Sequence, residues 1–151
     1  MTKYEIQVSE DKSSLARSAS DLIAQVIEST LKNKTRAKIA LCGGSTPKAA
    51  YTLLGKKNID WTKVDLFLGD ERWVDSESQD SNCFLLNNSL LKEGNPSLEA
   101  SFFSVSTVEL ASPEDSAKDY EKILKNNFDG DPPRFDLILL GLGDDGHTAS
   151  L

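Results

Sequence analysis

Phe135-Asp136-Leu137-Ile138-Leu139-Leu140-Gly141-Leu142-Gly143-Asp144-Asp145-Gly146-His147 is the stretch that decides the fold. Phe135 to Leu140 carries a single charge and is the most apolar strand in the chain. It runs straight into a glycine-rich loop. A continuous apolar run of this kind suits a strand buried on both faces, as in a parallel sheet. Asp129-Gly130-Asp131-Pro132-Pro133 precedes it and breaks the element before.

Working back along the chain, the same pattern returns. Ala37 to Cys42 is a short apolar run with one Lys, followed at once by Gly43-Gly44. Val64 to Leu68 ends in Gly69-Asp70-Glu71-Arg72, and Phe102 to Val105 reads as a shorter strand. Helical signals fill the intervals. Ser13 or Ser14 opens a helix in which Leu15, Ala19, Leu22, Ile23, Val26, Ile27 and Leu31 recur at three- and four-residue spacing. Lys32-Asn33-Lys34 suits its last turn. Pro47 fits the first turn of a second helix, with Ala49, Ala50, Leu53 and Leu54 as its stripe and Gly55 as its stop. A third covers Ser81 to Leu91. A fourth is capped by Ser112, starts at Pro113 and runs to about Phe128. Tyr4, Ile6 and Val8 alternate with polar residues, which predicts a half-exposed strand at the start.

Strands alternating with helices predict an α/β fold, a mostly parallel Rossmann-like sheet with helices on both faces. Asn95-Pro96-Ser97 and Asp129 to Pro133 are too short to be domain linkers, so residues 1–151 read as one domain.

The totals narrow the function. A formal charge of −7 repels polyanions, and no basic stripe overrides it, which argues against nucleic acid. No apolar run approaches the roughly 18 residues a membrane span needs. Met1 to Ile6 lacks the basic-then-apolar pattern of a secretory leader, so the expected compartment is the cytoplasm. Cys42 and Cys83 form no Cys-x-x-Cys pair and read as reduced core residues. With one His besides, the sequence assembles no zinc cluster. Nothing fixes an oligomeric state, and a monomer is compatible with all of this.

In open parallel sheets, ligands bind beyond the carboxyl ends of the strands. Three such ends carry candidate chemistry. At Cys42-Gly43-Gly44-Ser45-Thr46-Pro47, glycines allow close backbone approach, two hydroxyls offer donors and a helix begins. That combination suits a phosphate, although it also suits a tight turn with a hydroxyl cap. The Gly-Lys-Ser/Thr ending of a Walker loop is absent. At Gly69-Asp70-Glu71-Arg72-Trp73-Val74, Arg72 can fork onto a carboxylate or phosphate. The bland alternative is a solvated Arg–carboxylate turn. The third end holds His147, the chain's sole histidine, after Asp144-Asp145-Gly146. A neighbouring Asp can fix an imidazole's tautomer and raise its basicity, as a general base requires.

These loops, with Asp80-Ser81-Asn82 downstream of the second, resemble in order and spacing the signatures of the 6-phosphogluconolactonase family. The resemblance covers essentially the whole chain. It implies hydrolysis of 6-phospho-D-glucono-1,5-lactone to 6-phosphogluconate in the oxidative pentose phosphate pathway, without metal or organic cofactor. Carried onto this sequence, Gly43, Gly44, Ser45 and Thr46 would hold the 6-phosphate, with Asp70 and Gly146 also against substrate. Arg72 would add positive charge. His147 would take a proton from water, and Asp145 would orient the imidazole. No Gly-x-Ser-x-Gly nucleophile elbow is present. The family continues beyond Gly-His-Thr-Ala-Ser-Leu with Phe-Pro and a further segment bearing at least one basic residue. The resemblance therefore implies a C-terminally shortened copy, inactive by itself, with Thr148 to Leu151 as the opening of a helix.

Two other readings compete. The related aminosugar-phosphate deaminases share the sheet and an Asp-Gly-His loop, but they follow the His with Ile/Val-Ala-Phe-Asn where this chain has Thr-Ala-Ser-Leu. A non-catalytic sugar-phosphate-binding module is the other. Such modules carry a DNA-binding or partner segment, and none is visible here.

Overall fold

A computed structural model describes residues 4–149 and 151. Residues 1–3, part of the stretch read for a leader, lie outside it, as does Ser150 in the expected helix opening at 148–151.

Eight main elements alternate along the chain: α1 (Lys12–Leu31), β1 (Ala37–Leu41), α2 (Ser45–Leu54), β2 (Val64–Leu68), α3 (Asn82–Asn87), β3 (Ser101–Phe103), α4 (Pro113–Asn127) and β4 (Leu137–Ile138). The four strands form one sheet in the order β3-β2-β1-β4, with every pair parallel. This is the α/β architecture the alternation predicts. β1 and β2 pair along their whole lengths, from Ala37 opposite Val64 to Leu41 opposite Leu68.

Successive strand side chains point to opposite faces, and the two faces differ in chemistry. Ala37, Ile39 and Leu41 line up with Val64, Leu66 and Leu68 against Ile23, Ala24 and Ile27 of α1, Tyr51 and Leu54 of α2, and Leu86 of α3. The opposite face is aromatic. Phe67 stacks on Phe103 at 4.8 Å between ring centroids and meets Phe128 and Phe135 at 5.3 and 5.4 Å. Such ring pairs add to burial through their quadrupoles. On this face, at the start of the strands, lies the buried carboxylate of Asp65. Arg36 clamps it with two bonds of 2.9 and 2.5 Å and also reaches the Thr62 carbonyl and the Ser101 hydroxyl.

Several sequence expectations need correction. Residues 4–8 form no strand: Tyr4, Ile6 and Val8 are exposed, because among the described residues no neighbouring strand offers a ladder to them. Asp11, not Ser13 or Ser14, caps α1, accepting from the Ser14 N–H at 2.6 Å. α3 stops at Asn87 instead of Leu91. Asn88 and Ser89 turn their side chains back to the carbonyls of Phe84 and Leu85, which competes with helix propagation. Of the expected strand 135–140, only Leu137 and Ile138 pair in the sheet, and Ile138 and Leu140 are exposed. The backbones of Thr148 and Leu151 bond to each other, and Ala149 stands at a φ of 50°. The boundaries of β2 and the cap and start of α4 match the sequence reading. Both cysteines are free thiols, with Cys83 buried and Cys42 half-buried.

Candidate functional site

The ends of β1, β2 and β4 open onto one side of the sheet. Two tyrosines fix the first two of these ends. The Tyr51 hydroxyl, from α2, donates to the Cys42 carbonyl at 2.8 Å and accepts from the Cys42 N–H at 3.1 Å. The Tyr120 hydroxyl, from α4, treats Leu68 in the same way, with both distances 2.9 Å. Each phenol thus satisfies both backbone groups of one residue where the ladder gives out. Burial pushes both hydroxyls up, Tyr120 to about 12, so they remain protonated donors at neutral pH.

Beyond Cys42 the chain turns through Gly43 and Gly44, the latter at a φ of 115°, and enters α2 at Ser45. No side chain caps this helix, so the sequence alternative of a hydroxyl cap is not what is seen. Ser45 and Thr46 are exposed, and Pro47 has no N–H to satisfy. Beyond Leu68, Glu71 turns inward. Its carboxylate accepts from the N–H groups of Arg72, Asn82 and Cys83 at 2.7, 2.7 and 2.8 Å and from the Ser81 hydroxyl at 3.1 Å. A negative charge on the first turn of α3 is favourable there, so Glu71 serves the fold.

The loop after β4 closes on itself. The Gly143 N–H donates to the His147 carbonyl at 2.8 Å, and the Gly146 N–H donates to the Gly143 carbonyl at 2.9 Å. Gly146, at a φ of 88°, makes the reversal, and the Thr148 hydroxyl ties back to the Gly141 carbonyl at 2.7 Å. His147 Nδ1 meets Asp145 Oδ1, which also accepts the His147 N–H at 3.2 Å. The ring contact, then the backbone bond, holds the Asp145 carboxyl below the usual carboxylate range. Side-chain exposures of 56% for His147 and 75% for Asp145 leave the pair open to solvent. Gly143 makes room for the ring: a Cβ there would overlap the imidazole and come within 2.9 Å of Asp145 Oδ1.

The three loops meet in one cleft of about 540 Å³. Gly43, Gly44, Ser45, Thr46, Asp70, Arg72 and His147 all line it, so most of the residues singled out from sequence are brought together. Asp145 stands behind His147, and Gly146 shapes the turn without lining the cleft. Two contributions were missed from sequence. Leu15, Ala16 and Ala19 of α1 supply an apolar wall. Leu15 and Ala19 belong to the helical stripe, and a stripe does not say which of its members face a cleft instead of a core. Asn82, noted in the sequence only as part of a motif, is buried and lines the cleft. Among the described residues, no group of three or more His, Cys, Asp or Glu is placed to hold a metal ion, and no helix is long and apolar enough to cross a membrane.

Comparison with known proteins places the fold among relatives. A 6-phosphogluconolactonase of Nostoc sp. is 36% identical over 152 residues, covering 99% of this chain and 62% of that protein. A 6-phosphogluconolactonase of Synechocystis sp. is 41% identical over 128 residues, covering 83% of this chain and 52% of its own length. Among solved structures, the 6-phosphogluconolactonase of Trypanosoma brucei superposes with a TM-score of 0.83 at 32% identity, over 99% of this chain and 63% of that one. That of Shewanella baltica superposes equally well, at 0.83 and 32%, over 93% and 57%. The chain thus spans somewhat over half the length of the relatives it matches. The model of glucosamine-6-phosphate isomerases/6-phosphogluconolactonases matches residues 10–151, and the chain belongs to that family.

Proposed function

We propose that this chain carries the phosphate cradle and the general base of a 6-phosphogluconolactonase, which hydrolyses 6-phospho-D-glucono-1,5-lactone to 6-phosphogluconate in the cytoplasmic oxidative pentose phosphate pathway. The observation that carries the reading is the meeting of the glycine turn, Arg72 and the Asp145–His147 pair in one cleft. The names of the relatives support the same activity.

In this reading the 6-phosphate sits at the uncapped start of α2, against the Gly43–Thr46 turn, where unpaired N–H groups and the helix dipole favour an anion. Arg72 adds a forked cation, and Asp70 bonds a substrate hydroxyl. Asp145 on Nδ1 selects the tautomer whose Nε2 lone pair is free. Nε2 takes a proton from water as the oxygen attacks the lactone carbonyl. The tetrahedral adduct collapses, the ring C–O bond breaks, and the imidazolium returns the proton to the departing ring oxygen. Asp145 stabilises the imidazolium in between. General-base help of this kind contributes roughly 10²–10⁴ in rate. Binding by this chain and turnover are separate properties, and turnover draws on residues that the relatives carry beyond the matched part.

Two measurements test the proposal. Calorimetry on this chain should show 6-phosphogluconate bound in preference to gluconate. In a protein of the relatives' length carrying these residues, lactone made from glucose 6-phosphate, its dehydrogenase and NADP should disappear faster than in buffer. His147→Ala should abolish the acceleration, and a variant with undiminished rate would remove His147 from the role. Ammonia released from glucosamine 6-phosphate would point to the deaminase branch instead.

A further inference from the structure

Asn82 occupies the point where the first two loops touch. It is 4% exposed, unusual for a carboxamide at the mouth of a cleft. Its Nδ2 donates to the Asp70 carbonyl at 3.0 Å and to Asp70 Oδ1 at 3.3 Å. Its backbone N–H donates to Glu71 at 2.7 Å. The oxygen end of the carboxamide lies against Gly43, so closely that a Cβ at Gly43 would come within 1.8 Å of Oδ1. A buried amide costs free energy unless its bonds are made, and here they run towards Asp70 while its bulk fills the space beneath Gly43.

We propose that Asn82 is a positioning residue that couples the Gly43–Thr46 turn to the Asp70–Arg72 turn, so that phosphate cradle and cation keep one spacing. The idea rests on the phosphate reading above for its ligand, but not for its mechanics. Asparagine suits the post for three reasons. Aspartate cannot donate to the Asp70 carbonyl when ionised and sets two carboxylates face to face. Leucine fills the space but donates nothing. Serine does not span the gap. Glu71 supports the arrangement by fastening the start of α3, and with it Asn82, to the base of the Arg72 loop.

The test uses the 151-residue chain with Asn82→Ala, Asn82→Asp and Gly43→Ala. Backbone nitrogen relaxation in the ligand-free protein reads the mechanics directly. In both Asn82 variants, amides at 43–46 and 70–72 should lose order together, while amides of β2 keep theirs. Unchanged order at 43–46 overturns the proposal, whatever the protein binds. Asn82→Asp preserves side-chain size and serves if the alanine variant does not fold. Calorimetry with 6-phosphogluconate and gluconate reads the consequence. The preference for the phosphorylated ligand should fall about tenfold, the scale of one misplaced charge-assisted bond. A residue that merely filled space would lower the melting temperature and leave the preference of the folded protein intact. Gly43→Ala should lose the preference, and adding it to Asn82→Ala should cause little further loss, since the carboxamide it strikes is gone. Strict additivity refutes the contact. A wild-type chain that binds neither ligand refutes the phosphate reading and leaves the relaxation result to decide on the coupling.

Discussion

Replacing Tyr51 by Phe removes one oxygen and nothing else from a side chain that is fully buried. That oxygen serves both backbone groups of Cys42, donating to its carbonyl at 2.8 Å and accepting from its N–H at 3.1 Å. Each hydrogen bond contributes about 1 kcal/mol net, so Tyr51→Phe should cost about 2 kcal/mol. For a chain of this size that corresponds to a fall of about 4–8 °C in melting temperature. Urea titration followed by circular dichroism should show a lower midpoint with an unchanged slope. The pH dependence adds a second, independent check. Burial raises the folded-state pKa of Tyr51 above its ordinary value. A raised folded pKa contributes stability that is complete below the unfolded value, near 10, and lost as pH climbs towards the folded one. The wild-type advantage over Tyr51→Phe should therefore be constant at neutral pH and shrink above pH about 10, with Tyr120 present in both proteins and cancelling. A loss below about 0.5 kcal/mol, or an advantage that persists undiminished at high pH, would refute the claim that the phenol closes the end of β1.

Arg36→Met should destabilise the chain by about 2 kcal/mol in urea. It strands the buried Asp65 carboxylate, and the estimate sits below the range for fully buried pairs because Arg36 is 38% exposed. Gly143→Ala should push the His147 ring off Asp145, visible as a change in imidazole nitrogen shifts, while melting changes little because the loop is exposed. In carbon-detected titrations, Asp145 should ionise below the usual carboxylate range and move back towards it in His147→Ala, which removes the ring contact and keeps the backbone bond. Because the folded value is depressed, whatever this contact contributes is present above the unfolded pKa and disappears as pH falls through the lowered one.

The parts of the fold legible in the sequence are those fixed by local chemistry. Ser112-Pro113 marked the start of α4, and an apolar run followed by two glycines marked β1. Residues whose role depends on a distant partner were misread. Tyr4, Ile6 and Val8 alternate as a strand should, but alternation supplies no neighbour to pair with. Glu71 looked like one more acid in a charged turn. Its work, gathering donors from residues ten to twelve positions onward, exists only once α3 has folded back. The cleft was legible as three loops, because glycines, an arginine and a histidine at strand ends are unusual individually. Asn82 was not singled out, since nothing local distinguishes a positioning carboxamide from a helix-start residue.

The Gly43–Thr46 turn and the His147 loop hang from strands of very unequal grip. β1 is central and pairs over all five of its residues with β2, whereas β4 is in register with β1 at two residues, Leu137 and Ile138, with one further backbone bond on each side, from Asp136 to Lys38 and from Leu139 to Ala40. Just before the strand, Asp136 adds a bond to the Lys38 N–H at 2.8 Å and an ion pair to Lys34 at 2.5 Å. Peeling β4 away would carry His147 out of the cleft while the Gly43 turn stayed in place. A ligand touching both must therefore hold β4 down, and its apparent affinity is its intrinsic affinity scaled by the fraction of molecules with β4 seated. Anything that lies along the outer edge of β4 and lengthens its pairing raises that fraction, tightening the cleft without touching it.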